Sequence, residues 1–286
     1  MKAQHLVSVS GGKDSTATYL RAIELGRPFR AVFADTGNEH QAVYDYLAEL
    51  PRLTGGPEIE AVRADFADRL AAHRDYILRV WPEQGIADNV VQEAASLNTP
   101  SGNPYLDLCI LKARFPSSRA QFCTEELKTI PIISQVVLPM LSAGPVLQWI
   151  GVRADESPNR AKQPKFNRHE SGSYLWRPIF LWSVADVWAI HRKHGIEPNP
   201  LYAAGMGRVG CMPCINCNKG EFSRIGQLFP EHLERIARWE SIVAKASKRG
   251  AASFFKIRDG AQRKIEFGSG GGCSSDMALC ETEVIA

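Results

Sequence analysis

The chain has 286 residues, 44% of them hydrophobic, and a formal net charge of +3, which suits one large α/β domain with a smaller appendage and excludes three ordinary domains. A balance this close to neutral sets up no global field for nucleic acid or a membrane surface. No apolar run approaches the ~20 residues of a bilayer span and no export signal opens the sequence, so a cytoplasmic protein without a membrane partner is expected.

In chain order, residues 6–9 form a short apolar run that predicts a buried strand. "SGGKDS" at 10–15 follows as a turn, and a helix over 15–25 carries Leu20, Ile23 and Leu25 on its apolar side. A second strand is predicted over 29–34, ending in Asp35-Thr36-Gly37, then a helix over 43–50 and a third strand over 59–62. Strands alternating with helices predict an α/β fold, a doubly wound and mostly parallel sheet whose ligand crevice lies at the carboxyl ends of its strands. Residues 81–116 are rich in Asn, Pro, Gly and Ser and read as an irregular excursion over that crevice. The strand pattern returns at 146–151 and runs into "GVRADES". Ser183 with Asp186 marks a capping box before a helix over 184–194. Leu233, Ile236, Trp239 and Val243 mark one face of a last helix, opened by Pro230.

The glycine turn carries the first chemical signal. After a strand, consecutive glycines let successive backbone N–H groups converge on an anion, and the positive end of the following helix points at the same place. Ser8 closes the strand and Gly11 and Gly12 supply the turn. Lys13 would neutralise phosphate charge, Asp14 would hold Mg²⁺ against it, and Ser10 and Ser15 add hydroxyl donors. The spacing of a Walker A loop is absent. Asp35 places a carboxylate at a strand end, with Gly37 permitting close approach of a ligand; a plain turn with Asp as acceptor is the structural alternative. Arg153, two residues after Gly151, either grips phosphate or sulfate in a bidentate way or pairs with Asp155 or Glu156.

Seven cysteines, an odd number and unevenly clustered, suit metal binding or redox chemistry better than a disulfide framework. The spacing Cys211-x2-Cys214-x2-Cys217 lets thiolates converge on one centre, an iron–sulfur cluster or, as the lesser alternative, zinc. Cys109 stands alone and reads as a small buried residue. Trp176, Trp182 and Trp188 read as core, and the basic run from Lys245 to Lys264 as a solvated face ahead of a nucleic-acid track. Arg114, Arg119 and Lys128 either meet the anionic end of a substrate or form solvent-facing ion pairs.

"SVSGGKDST" resembles the PP-loop of the adenine nucleotide α-hydrolase group. "ADTGNEH" at 34–40 and "FCTEELKTIPI" at 122–132 are similar to motifs of its phosphoadenosine phosphosulfate (PAPS) reductase branch. "GVRADES" at 151–157 resembles a later nucleotide-site motif, and "RVGCMPCIN" at 208–216 the paired-cysteine segment of iron–sulfur adenylylsulfate reductases. The matches run in family order from residue 8 to about 217. The resemblance implies a PP-loop nucleotide-binding domain over 1–200 and a cysteine-rich, helical C-terminal region with a tail over 201–286, packed on it. It implies an adenine nucleotide, ATP or else PAPS or adenylylsulfate, held by Ser8, Ser10, Gly11, Gly12, Lys13, Asp14, Ser15, Asp35, Gly37, Gly151 and Arg153, with Mg²⁺. It also implies a [4Fe–4S] cluster on Cys123, Cys211 and Cys214. The family's iron–sulfur reductases carry adjacent cysteines where this chain has Phe122-Cys123, so the fourth ligand stays open among Cys280, which is favoured, Cys273 and Cys217.

The activity implied is that of an ATP pyrophosphatase that adenylylates an acceptor, a nucleic acid by resemblance to DNA phosphorothioation and tRNA-thiolating enzymes, for sulfur transfer. Lys13 and Asp14 would act at the phosphates and Cys280 would carry sulfur, with a cysteine desulfurase as partner. The intact "SGGKDS" favours ATP. The rival is an adenylylsulfate or PAPS reductase that releases sulfite and takes electrons from thioredoxin. A non-catalytic adenine-nucleotide sensor fits the same binding residues.

Overall fold

The computed structural model describes residues 2–254, and backbone alone at 256–257 and 265–266. Six strands, β1 (Gln4–Ser8), β2 (Phe29–Asp35), β3 (Ile59–Arg63), β4 (Val146–Trp149), β5 (Phe166–Arg168) and β6 (Tyr174–Trp176), form one sheet in the order β3-β2-β1-β4-β6-β5. All neighbours run parallel except β5 and β6. The order reverses between β1 and β4, which opens a crevice at the carboxyl ends of these two strands. Both the "SGGKDS" turn and "GVRADES" leave the sheet there.

Alternation along the strands sets the two faces. Val7, Ala31 and Phe33 join one buried cluster with Leu20 and Ala17 of α1 (Lys13–Glu24), Val43 and Leu47 of α2 (Gln41–Thr54), and Val187 and Ile190 further on. Leu6, Val32 and Ala34 point the other way, into a second cluster with Ile132, Val136 and Met140. The 81–116 region corrects the sequence reading. Helix α3 (Ala67–Glu83) continues through its start, and α4 (Asp88–Leu97) and α5 (Pro104–Lys112) fill most of the rest. The Asn and Pro taken for loop chemistry are helix boundaries: Asn103 accepts from the Leu106 amide as an N-cap, and Pro104 occupies the first turn.

A long helical rod, α6, follows without a break through Phe122–Thr124, Glu125–Thr129, Ile130–Ile132, Ile133–Val137 and Leu138–Ala143, with π-type bonding in the second and fourth stretches. Each widened stretch precedes an α stretch containing a proline, Pro131 or Pro139, whose missing N–H breaks the i to i−4 ladder. Helix α7 (Val184–Lys193) has the expected capping box, with Ser183 and Asp186 bonded reciprocally. Helices α8 (Lys219–Leu228) and α9 (Pro230–Lys245) complete the described chain; Ile236, Trp239 and Val243 of α9 are buried against Tyr105 and Leu108 of α5. Trp176 packs edge-on to Trp149 with ring centroids 4.4 Å apart, in keeping with a core role. Within the basic run, Lys245 pairs with Glu93 at 2.8 Å and Lys248 lies 5.2 Å from the Trp81 ring; Lys256, Arg258, Arg263 and Lys264 lie outside the residues with described side chains. Among the described residues no helix is long and apolar enough to cross a membrane.

Helices α1 and α7 are tied at their ends by Glu24, which meets Lys193 at 2.5 Å, Arg21 at 3.0 Å and His194 at 3.3 Å. The Lys193 hydrogen bond, against burial and with help from Arg21 and His194, holds the Glu24 carboxyl down from 4.5 to about 2. A folded value below the unfolded one means that the contribution is complete above the unfolded value and fades as pH falls through the folded one. Glu24→Gln is therefore expected to flatten the acid limb of stability against pH between about 4.5 and 2. Wild-type and variant melting curves that stay parallel through that window would contradict this.

Candidate functional site

The turn after β1 is built as an anion cradle. Gly11 has φ +79° and Gly12 is the N-cap of α1, leaving the helix without a side-chain cap. Ser15 Oγ donates to the Gly12 carbonyl at 3.0 Å and accepts from the Ser10 amide at 3.0 Å, closing the turn. The Lys13 amide donates to the Tyr202 hydroxyl at 2.9 Å, and His191 Nε2 lies 2.9 Å from the Lys13 carbonyl, so α7 and the Pro200–Ala203 turn hold the loop from outside.

Lys13 and Asp14 are buried, at 2% and 0% exposure. Asp14 pairs with the Arg153 guanidinium through Nε and lies 3.4 Å from Lys13 Nζ; Arg153 also meets Asp155. Burial disfavours the Arg153 charge, but Asp14, then Asp155 and Glu156, outweigh it and raise the group above its usual value. Of the two readings of Arg153, the structure realises an ion pair, with Asp14 as the principal partner. Asp14 thus meets two cations, Arg153 and Lys13, at the place where a Mg²⁺ ligand was expected.

The second-strand motif and the paired cysteines form one unit. Glu39 and Cys211 make an isolated antiparallel bridge, and the Met212 amide donates to the Asn38 carbonyl at 2.7 Å. Asn38 Nδ2 donates to the Pro213 carbonyl at 3.1 Å, while its Oδ1 accepts from Arg235 at 2.7 Å. Arg235 also donates to the Met212 carbonyl at 2.8 Å, which His232 Nδ1 meets at 3.2 Å. Burial, then Arg235 and His40, bring His232 down to about 4, so at neutral pH it donates as a neutral imidazole. Cys211 Sγ lies 3.5 Å from Glu39 Oε1 and 3.6 Å from Thr36 Oγ1. His40, Glu231 and His232 cluster nearby, but His40 Nδ1 accepts from the Ala42 amide at 3.0 Å. That bond leaves the His40 proton on Nε2, a poor arrangement for a cation.

Cys123, Cys211 and Cys214 line one cavity, together with Tyr105, Thr36, Leu127 and Lys128. Lys128, itself buried, also lines a neighbouring cavity with Ser10, Glu39 and Gly210, so the cradle and the thiols adjoin across one ammonium. Soft thiols in a largely apolar wall fit an iron–sulfur cluster or zinc. Cys217 lines a different cavity, with Cys211, Cys214, Arg208 and Glu221. Tyr105 registers the surroundings. Burial first, then charge on Cys109, Cys123, Cys211 and Cys214, pushes its phenol well above the usual range.

Comparison with known proteins bears on this constellation. The profile of the phosphoadenosine phosphosulfate reductase domain family matches residues 4–93 and 112–217. The chain belongs to this family. A 37.8 kDa uncharacterised protein of Escherichia phage 186 is 44% identical over 264 residues, covering 88% of this chain and 78% of that protein. Adenosine 5'-phosphosulfate reductase of Burkholderia cepacia is 35% identical over 82 residues, 28% of this chain and 33% of the reductase. A crystal structure of phosphoadenylyl-sulfate reductase from Candida auris, a phosphate complex, superposes with a TM-score of 0.43 at 16% identity, over 74% of this chain and 82% of that one.

The family's matched segments bring most of the expected residues to one crevice: Ser10, Gly11, Gly12, Lys13, Asp14, Ser15 and Arg153 around the cradle, and Cys123, Cys211 and Cys214 beside it. Gly151 abuts the first turn of α1. Ser8 is buried within β1. At Gly37, with φ +76°, an added Cβ would stand 2.8 Å from the Asn103 side-chain amide. Asp35 accepts from the Gly37 amide and Tyr44 and pairs with Arg63, the turn reading. Arg114 stacks on Phe122 at 5.4 Å and is exposed. Cys273 and Cys280 lie outside the described residues. Asn38, Glu39, Tyr202, His232 and Arg235 were not singled out by the sequence reading. For the first two the signal was available inside "ADTGNEH".

Proposed function

We propose that the chain binds ATP with its triphosphate on residues 10–15 and adenylylates an acceptor ahead of sulfur transfer, nucleic acid being the acceptor class that the motif resemblance implies. The observation that most supports this is Lys128, which borders both the cavity beside Ser10 and the cavity of Cys123, Cys211 and Cys214. A nucleotide's reacting end and the thiols would then meet across one cation. In this reading the amides of Gly11 and Gly12 and the uncapped start of α1 receive phosphate, and Lys13 stabilises the charge that develops as the α–β bond opens. An acceptor oxygen attacks the α-phosphorus and pyrophosphate leaves; the outer sulfur of a Cys280 persulfide, charged by a cysteine desulfurase, then attacks the activated centre as AMP departs with that oxygen, and an external thiol reductant cleaves the S–S bond to free the thiolated product and Cys280. A [4Fe–4S] cluster or zinc held by Cys123, Cys211 and Cys214 would order the wall beside the nucleotide when bound. Asp14 serves to fix Lys13 and Arg153.

A reductase reading has its own support in the stretch shared with adenosine 5'-phosphosulfate reductase. There, a tail thiol would attack the sulfonate of adenylylsulfate and displace AMP, and thioredoxin would then release sulfite from the S-sulfonated cysteine, its own dithiol becoming a disulfide. One experiment separates the two. Anaerobically purified protein is given ATP, Mg²⁺ and total nucleic acid, and separately adenylylsulfate with thioredoxin. Pyrophosphate and AMP from the first and no sulfite from the second are expected; sulfite from the second with no pyrophosphate from the first would reverse the assignment.

A further inference from the structure

In the motif where the resemblance to iron–sulfur reductases implies two adjacent cysteines, this chain has Phe122-Cys123, so one thiol of the implied set is missing there. We infer that Cys109, from helix α5, takes that place and completes a four-cysteine metal centre with Cys123, Cys211 and Cys214. This inference rests on the metal-binding reading of the thiols proposed above.

Three placements carry it. Tyr105 lines the same cavity as Cys123, Cys211 and Cys214, and Cys109 lies four residues further along α5, on the same face of the helix. Cys109 and Leu127 belong to one buried cluster against which Phe122 and Cys123 pack half-buried, so α5 and the start of α6 share this core. Cys217, the nearer candidate in sequence, lines a separate cavity in which Cys123 has no part.

At 1% exposure Cys109 is either an inert apolar filler or a ligand, because a lone thiolate has no solvation there. Four thiolates are the set that both a [4Fe–4S] cluster and structural zinc favour.

The test counts metal in the full-length chain. Wild type, Cys109→Ala, Cys109→Val and Cys217→Ala are purified without oxygen and reconstituted with iron and sulfide or with zinc. Iron, acid-labile sulfide and zinc per chain are measured beside far-UV circular dichroism. Wild type and Cys217→Ala are expected to hold equal loads, and both Cys109 variants to lose at least half of theirs with the helical signal unchanged. Valine keeps the site filled, so loss in that variant reports ligation and not packing. A full load in either folded Cys109 variant, with a loaded wild type, overturns this inference alone. A wild type that takes up no metal overturns both this inference and the metal reading beneath it.

Discussion

Gly151→Ala is expected to weaken ATP binding by tenfold or more while leaving the sheet folded. A Cβ at this position would stand 2.8 Å from the Asp14 carbonyl oxygen, 2.9 Å from its carbon and 3.0 Å from the Ser15 Cα. All three are backbone atoms in the first turn of α1, so no side chain can swing aside to make room. The added methyl must push the start of α1 away from β4, and the amides of Gly11 and Gly12 move with it. Overpacking of this kind costs about 1–3 kcal/mol, and ~1.4 kcal/mol is a factor of ten in affinity. Titration calorimetry with a non-hydrolysable ATP analogue gives the answer; an unchanged dissociation constant would mean that the turn after β4 does not position the cradle.

The second large effect concerns Arg153. Its guanidinium and the Asp14 carboxylate are at 1% and 0% exposure, so removing the guanidinium leaves Asp14 with Lys13, 3.4 Å away, as its described cation, where water cannot compensate for the rest. Breaking a buried pair from one side typically costs about 3–5 kcal/mol. Arg153→Ala is expected to lose stability of that order in urea denaturation at neutral pH. Arg153→Lys should recover only part of it, because one ammonium cannot serve Asp14 and Asp155 in the way the guanidinium does. Replacing both partners, as Arg153→Met with Asp14→Asn, should cost less than the two single changes added together. A single-variant loss below about 1 kcal/mol would show the pair to be solvated in solution.

What the sequence disclosed, it disclosed locally. The strand, glycine turn and helix of residues 6–25 lie within one contiguous stretch, so periodicity and two glycines suffice to place the cradle, and the spacing of Cys211 and Cys214 is equally self-contained. The tie between Arg153 and Asp14 spans 139 residues, and that between Arg235 and Asn38 spans 197. Nothing in the local pattern around Arg235 distinguishes it from Arg238 on the same helix. Cys109 is buried, as its reading as a small core residue expects, but its place on a helix face was not legible. The Asn and Pro that cap α5 resemble loop chemistry when the helix they begin is only nine residues long, and a thiol assigned to a loop has no face to share with Tyr105. The neighbour that crowds Gly37, Asn103, comes from that same misread segment and so was not legible from "DTG".

The claim beneath the whole account is that the loop from Ser10 to Ser15 holds a nucleotide's phosphates beside Cys123, Cys211 and Cys214. Crystals of the anaerobic protein grown with a non-hydrolysable ATP analogue address it directly. The account requires phosphate oxygens within hydrogen-bonding distance of the Gly11 and Gly12 amides, and the α-phosphate on the side of the loop toward Lys128. Phosphate density elsewhere on the chain, with the Ser10–Ser15 loop left bare at saturating analogue, would contradict it.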